Sequence, residues 1–120
     1  MASTSVKLNN RELFQAEVMD TTSKRMKGLM FSKRVEQPLL FEFAGVGNAE
    51  NGIHSLFCPE FDAVFLDEAK TIVSIFDKVA PFKWFIKPGA PVKYLLELEP
   101  GSVQRLGLRK GVVLDFELED

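Results

Sequence analysis

The stretch from Ile53 to Glu68 holds the residues best suited to chemistry, because it contains the only histidine and the only cysteine of the chain, His54 and Cys58. His54 could act as a general base oriented by a carboxylate, for which Asp62 on a neighbouring strand is the first candidate. With Cys58 added, the set could form a Cys–His nucleophile pair or a sparse metal site. No H-x-x-x-H, C-x-x-C or G-x-S-x-G motif accompanies these residues. His54 and Asp62 are therefore catalytic candidates only, and we expect neither a metal nor a cofactor.

Each of these side chains also has a purely structural interpretation, which we favour. A histidine at the edge of a core is commonly satisfied by backbone groups. A cysteine between a phenylalanine and a proline, as at Cys58, is typical of a small buried hydrophobe. Asp62 precedes an apolar strand and could cap a turn or a strand end. The sequence leaves open whether the protein is an enzyme.

Two further sites could bind a ligand or a partner. Arg25 lies on a predicted short helix, from which it could pair with Asp62, bind an anionic ligand, or simply remain solvated. Lys83, Trp84 and Lys87 lie in a loop, residues 81–91, that contains three prolines. Its aromatic and basic side chains could hold a partner protein, a single nucleic-acid strand or a lipid surface. The structural alternative is that one or two of its rings belong to the core.

The elements that must position these residues are mostly strands. Apolar alternation and turn residues predict about seven of them, apart from a weakly extended first segment. They cover Val6–Leu8 (weakly), Leu13–Met19, Leu39–Phe43, Ile53–Phe57, Asp62–Leu66, Ile72–Val79, Val92–Leu98 and Val112–Leu118.

Two short helices complete the prediction. The first follows the N-cap candidates at 20–23 and carries Met26, Leu29 and Met30 at helical spacing, with Gly28 either ending it or allowing a close backbone approach. The second runs from Ser102 to Leu106 and is closed by Gly107 in the left-handed conformation. Short connections between strands favour antiparallel pairing. We therefore predict an α+β fold with a predominantly antiparallel curved β-sheet, or a partly closed β-barrel, and two short helices.

Bulk composition limits the function classes. A chain of 120 residues predicts one domain, 1–120. The net charge of −2 and the scattered basic residues give no footprint for nucleic acid. One cysteine excludes an internal disulfide, and no apolar run approaches the ~20 residues of a membrane-spanning helix. We expect a cytoplasmic protein without a membrane span, in which most of the 11 phenylalanines are core.

Three blocks of the sequence together resemble a family of small prokaryotic proteins, domain of unknown function 192. The block Arg25–Phe31 (RMKGLMF) is similar to the family's R-x-x-G-L-M-F. The segments 39–43, 53–54 and 62–68 are similar to its apolar strand, its I-H segment and its D-x-x-F-L-D. The block 93–98 (KYLLEL), followed by Leu106-Gly107 and Lys110-Gly111, is similar to Y-V-L-E-L and L-G-x-x-x-G. The resemblance covers roughly residues 11–119 and implies a compact, mostly β fold with no established activity.

Three function hypotheses follow. The first is a non-enzymatic accessory module that binds a small molecule or a protein through His54, Asp62, Arg25 and the loop residues Lys83, Trp84 and Lys87. The second is a small enzyme of unknown reaction, with Asp62 and His54 as acid and base and Arg25 holding an anionic substrate. The third is a self-associating structural module, in which an exposed strand edge or the Trp84 loop makes a homodimer. For the protein in general we expect a monomer or weak homodimer.

Overall fold

Six strands form one mixed sheet that is curled into a half-barrel and accompanied by two short helices, in a computed structural model that describes residues 2–118. The elements are β1 Ser3–Leu8, β2 Arg11–Val18, α1 Thr22–Lys27, β3 Leu39–Gly47, β4 Phe61–Leu66, β5 Ile72–Val79, β6 Val92–Leu98 and α2 Ser102–Leu106. The strand order across the sheet is β1-β2-β3-β6-β4-β5. The predicted fold class is confirmed. Residue 1 and residues 119–120 of the predicted domain and family-like core lie outside the described residues.

One strand pair departs from the antiparallel prediction. β2 and β3 are parallel and share only two register pairs, Glu17 with Leu39 and Val18 with Leu40. Between them the chain makes α1 and a long irregular segment, which brings the start of β3 beside the last residues of β2. A parallel pair needs such a crossover connection. The antiparallel prediction applies to strands joined by short turns. It does not extend to β2 and β3, because their connection is long.

The sheet separates two apolar clusters, because successive side chains of a strand point to opposite faces. One cluster contains Phe61, Ala63 and Phe65 of β4 and is closed by Leu29, just after α1; we call this side the α1 face. The other contains Val64 and Leu66 of the same strand and is closed by residues of α2 and the C-terminal segment; we call this side the α2 face. β4 is buried at every position, since both of its faces are covered.

Both helices lie where they are predicted, although α1 ends at Lys27, so that Leu29 and Met30 fall just after it. Thr21 caps α1, and its hydroxyl accepts a hydrogen bond from the amide of Lys24 at 3.1 Å. Gly28 ends α1 with a φ of 47°, and it also lets Phe41 and Glu97 approach closely. Gly107 ends α2 with a φ of 68° in the left-handed region, where glycine carries no steric penalty. Neither helix among residues 2–118 has the length and apolar character needed to cross a bilayer.

Two predicted strands are wrong. Residues 53–57 form a single bridge, from Ile53 to Ile86, after which the chain turns at Ser55. Residues 112–118 make two isolated bridges, Thr71 with Val113 and Lys7 with Asp115, instead of a continuous ladder. Each segment covers one face of the sheet, so its apolar side chains are buried. A buried covering segment has an apolar pattern similar to that of a strand.

Asn51 anchors the end of β3 and provides a stability test away from the site. The residue is 7% exposed, and its Nδ2 donates to the carbonyls of Gly45 and Val92, at 2.9 Å each. Asn51→Ala leaves these carbonyls without that donor, so we expect a loss of about 2 kcal/mol in the free energy of unfolding. Urea denaturation measures it, with Asn48→Ala on the same exposed turn as a control that should cost less than about 1 kcal/mol. Equal losses in the two variants would contradict the anchoring role.

Candidate functional site

A cavity of about 780 Å³ opens on the α1 face, between the α1 segment and strands β3 and β6. Apolar side chains of its wall include Leu29, Met30, Phe41, Ile53 and Leu95. Its polar and charged lining residues are Arg25, Lys27, Glu42, His54, Cys58, Lys93 and Glu97. A hollow of this size, lined by both apolar and polar side chains, is a candidate site for a small molecule.

Glu97 is the most unusual residue of this cavity. It lies next to the C-terminal end of β6, paired with Leu39 of β3 on one side and Ala63 of β4 on the other, and it is 7% exposed. Its Oε1 is fully enclosed and has no hydrogen-bond partner among the described residues. Buried polar atoms are nearly always hydrogen-bonded, so an unpartnered one that borders a cavity marks a place for a missing partner.

Burial controls the protonation of this carboxyl. Removal from water disfavours the charged form and raises the pKa of Glu97 from 4.5 to about 8. At neutral pH the group is therefore mostly a neutral carboxylic acid, which can donate one hydrogen bond and accept others.

Sequence reasoning missed Glu97 as a site residue, although a signal was present. The alternation of β6 puts Lys93, Leu95 and Glu97 on one face. Glu97 stands between Leu96 and Leu98, and a single acid inside an apolar run suggests either an exposed edge or a buried charge. The sheet order decides between these, because β6 lies inside the sheet between β3 and β4.

His54 also lines the cavity, held by its own backbone neighbours. Its Nδ1 accepts a hydrogen bond from the amide of Leu56 at 3.0 Å. A ring nitrogen that accepts carries no proton, so the neutral ring has its N–H at Nε2. The ring can thus donate a hydrogen bond through Nε2 to a bound molecule.

Cys58 is buried in the same wall and is not activated. Burial and the nearby Glu97 raise the pKa of the Cys58 thiol from 9.0 to about 11. The thiol stays protonated at neutral pH, and its Sγ lies 3.5 Å from the carbonyl oxygen of Leu56. Since the thiolate is the nucleophile, this environment suits a packed side chain, as the structural interpretation predicts.

Basic side chains surround the mouth of the cavity. Lys93 donates from Nζ to the carbonyl of Phe43 at 2.7 Å and lies 3.8 Å from a carboxylate oxygen of Glu42. Arg25 is exposed, and its Nη1 approaches the carbonyl of Met19 at 3.4 Å. Lys27, on the last turn of α1, adds a third cationic group.

Asp62 lies on the α2 face, across the sheet from this cavity. It is 0% exposed and uses both carboxylate oxygens. Oδ1 accepts from the amide of Lys78 at 2.8 Å, and Oδ2 accepts from the amide of Val103 at 2.9 Å. The structure therefore brings Arg25 and His54 together and separates Asp62 from both, and no ion pair joins Arg25 to Asp62 in the part of the chain that is described. The hydrogen bonds of Asp62 are those of a side chain that caps backbone amides.

The remaining predicted binding residues lie outside the cavity. Lys83, Trp84 and Lys87 are exposed on the loop between β5 and β6. That loop joins the cavity wall only through the bridge from Ile86 to Ile53 and the ring of Phe85, which packs over Gly52. Within residues 2–118 no group of three or more histidine, cysteine and acidic side chains is placed to hold a metal ion.

Comparison with known sequences gives the family. The model of DUF192, described as an uncharacterized ACR, matches residues 4–116. The chain belongs to the DUF192 family. A UPF0127 protein of Thermococcus sibiricus is 27% identical over 107 residues, which are 88% of this chain and 68% of that protein. A UPF0127 protein of Pyrococcus furiosus is 30% identical over 98 residues, 81% of this chain and 82% of that protein.

The half-barrel of this DUF192 chain recurs in a solved structure. A crystal structure from Sinorhizobium meliloti 1021, described as that of a candidate transcription regulator, has a TM-score of 0.80 and 24% identity over 95% of this chain and 92% of that one. At this identity the likeness concerns the fold alone.

Parts of all three blocks that resemble DUF192 meet at the cavity, and the second block contributes Phe41, Ile53 and His54. The block Arg25–Phe31, which follows β2 in the chain, contributes part of the cavity wall. The block 93–98 contributes Lys93, Leu95 and Glu97. The D-x-x-F-L-D block lies in β4 instead, where Asp62 and Phe65 serve the two cores. The DUF192 motifs of this chain thus divide into a part that lines the cavity and a part that holds the fold.

Proposed function

We propose that this protein is a non-enzymatic accessory module that binds a small molecule in the cavity of the α1 face. The ligand has an apolar body, which packs on Phe41, Ile53 and Leu95, and carries at least one hydrogen-bond donor. That donor forms a hydrogen bond with Oε1 of Glu97. The basic groups at the mouth of the cavity are compatible with a ligand whose outer end is anionic or neutral. The functions of the longer relatives as whole proteins are a separate question.

The unpartnered Oε1 of Glu97 carries this proposal. A buried acceptor without a donor costs on the order of 1–3 kcal/mol, and a donor brought by a ligand recovers that cost. A fold that only needed a packed strand would have an apolar side chain here, as at the neighbouring positions Leu96 and Leu98.

A second candidate function is a small enzyme, and Glu97 is again the observation that favours it. A carboxyl whose pKa lies near 8 is suited to general acid–base catalysis at neutral pH. In this version Glu97 takes the role that the sequence suggested for Asp62, and His54 is the second polar group of the cavity.

Nuclear magnetic resonance titration with two matched probes tests the binding function. Benzamide offers an N–H donor on an aromatic body, and acetophenone has nearly the same shape without the donor. We expect benzamide to shift the amide resonances of Gly28 and Gly52, which line the cavity, and to bind about 10-fold more tightly than acetophenone, the equivalent of one hydrogen bond.

Glu97→Leu provides the decisive comparison for the same titration. It should bind both probes equally, whereas the exposed control Glu99→Gln should keep the preference for benzamide. Equal binding of the two probes by the wild-type protein, or shifts confined to residues outside the cavity, would contradict the proposal. Release of a chemically altered probe would instead favour the enzyme.

A further inference from the structure

Five large aromatic side chains are exposed on one set of adjoining loops, which we call the aromatic face. Their exposed fractions are 73% for Phe31, 55% for Phe57, 67% for Phe82, 79% for Trp84 and 56% for Phe85. The ring centroids of Phe31 and Phe57 lie 5.5 Å apart, and those of Phe57 and Phe82 lie 5.9 Å apart. These four phenylalanines are the exceptions to the prediction that most phenylalanines belong to the core. An exposed apolar cluster of this kind marks an interaction surface.

The backbone that holds the aromatic face is ordered and strained. Phe31, Phe57 and Phe82 have φ values of 67°, 59° and 66°, in the left-handed region that costs a residue with a side chain roughly 1–2 kcal/mol. Backbone hydrogen bonds join their segments, from Phe31 N to Phe57 O at 2.7 Å and from Phe82 N to Ser55 O at 3.0 Å. Three strained aromatic residues kept together at the surface indicate that their outward position has a use.

Positive charge lies among these rings. The run from Phe82 to Lys87 carries two exposed lysines, Lys83 and Lys87, and no acidic residue, although the net charge of the whole chain is −2. Lys83 and Lys87 alternate with Phe82, Trp84 and Phe85 in sequence. The occupant of the aromatic face should therefore be apolar and anionic together.

We propose that the aromatic face docks on the surface of a membrane that contains anionic lipids. Tryptophan and phenylalanine partition into the interfacial region of a bilayer, and each lysine near an anionic surface adds about 1 kcal/mol of attraction. This docking is independent of the cavity and of the ligand proposed for it.

Two other occupants fit the same face less well. A second copy of the chain in a two-fold dimer would bring two copies of the same basic surface into one interface, where like charges repel. A single nucleic-acid strand needs free ring faces for base stacking. The rings of Phe31 and Phe57 are stacked on each other at an interplanar angle of 22°, so their shared faces are already used.

Vesicle binding followed by the fluorescence of Trp84, the only tryptophan, tests the proposal. We expect a blue shift and co-sedimentation with vesicles of phosphatidylcholine and phosphatidylglycerol, and much weaker binding to phosphatidylcholine alone. The double variant Lys83→Gln/Lys87→Gln should weaken binding about 30-fold, because it removes two lysines worth about 1 kcal/mol each. The charge-matched control Arg109→Gln/Lys110→Gln lies far from the aromatic face in sequence and should bind like the wild type.

A further pair of variants separates the rings from the charges. Phe82→Ser keeps Trp84 as the probe and should reduce vesicle binding at least 10-fold, whereas Val113→Ser, which also removes an exposed apolar side chain, should not. Circular dichroism shows whether each variant is folded. Absence of binding to the anionic vesicles, equal loss in the control variants, or a dimer in light scattering that Phe82→Ser dissociates would overturn the proposal. Binding to soluble polyglutamate as strong as that to vesicles would point to an acidic protein and would also overturn it.

Discussion

At pH 8, Glu97→Leu is expected to raise the free energy of unfolding by roughly 3–5 kcal/mol, whereas at pH 4 the same substitution should change it little. The reason is the difference between the folded pKa of about 8 and the ordinary value of 4.5. Below pH 4.5 the carboxyl is protonated in both states, so burial costs no ionisation energy. Between pH 4.5 and 8 the unfolded chain releases the proton while the folded chain keeps it. Each pH unit in this interval lowers the stability of the wild-type protein by about 1.4 kcal/mol, and the loss levels off above pH 8.

Urea denaturation at several pH values measures this effect as the difference between variant and wild type, which removes the contribution of the other titrating groups. Glu97→Gln should also abolish the slope between pH 4.5 and 8. Glu99→Gln removes the same charge from an exposed position two residues away, and its difference from the wild type should stay nearly constant over this range. If the Glu97 difference were equally constant, the carboxyl would ionise at the same pH in the folded and unfolded chains, and burial would not control its protonation.

Asp62→Asn should instead lower the free energy of unfolding, by about 3 kcal/mol at pH 7. Each oxygen of Asp62 accepts from a different backbone amide, one of them in the first turn of α2. The N-cap of that helix, Gly101, has no side chain to cap it. Asparagine has a single oxygen, so its amide group would face a backbone N–H, and a buried donor would be left without an acceptor.

Asp67→Asn is the matched control for this measurement. One oxygen of Asp67, Oδ1, accepts hydrogen bonds from two backbone amides, those of Ala69 and Thr71. Asparagine can supply that oxygen, so the expected loss is below about 1 kcal/mol. Losses of equal size in the two variants would mean that Asp62 does not hold β5 and α2 together, and its assignment as a structural residue would fail.

The two carboxylates show how far sequence reasoning reaches in this protein. Asp62 and Glu97 lie on adjacent strands, and each stands in an apolar alternation that indicates which neighbours share its face. The predicted strand at 53–57 would have placed Asp62 near His54. The chain instead turns at Ser55, which carries His54 to the α1 face while Asp62 points to the α2 face. Cys58 shows the opposite outcome, since its local context predicted burial and it is buried.

Local patterns by themselves determined most of the elements of this protein: the apolar run of β4, the alternation in β6, an N-cap within residues 20–23, the glycine that closes α2 and the α+β class. These features depend on residues within a few positions of one another. The cavity, the unpartnered Glu97, the parallel pair β2–β3 and the exposed aromatic face were decided by the tertiary structure. Each depends on which long connection covers which face of the sheet, and that choice reflects the packing of residues far apart in the chain, which no local period records.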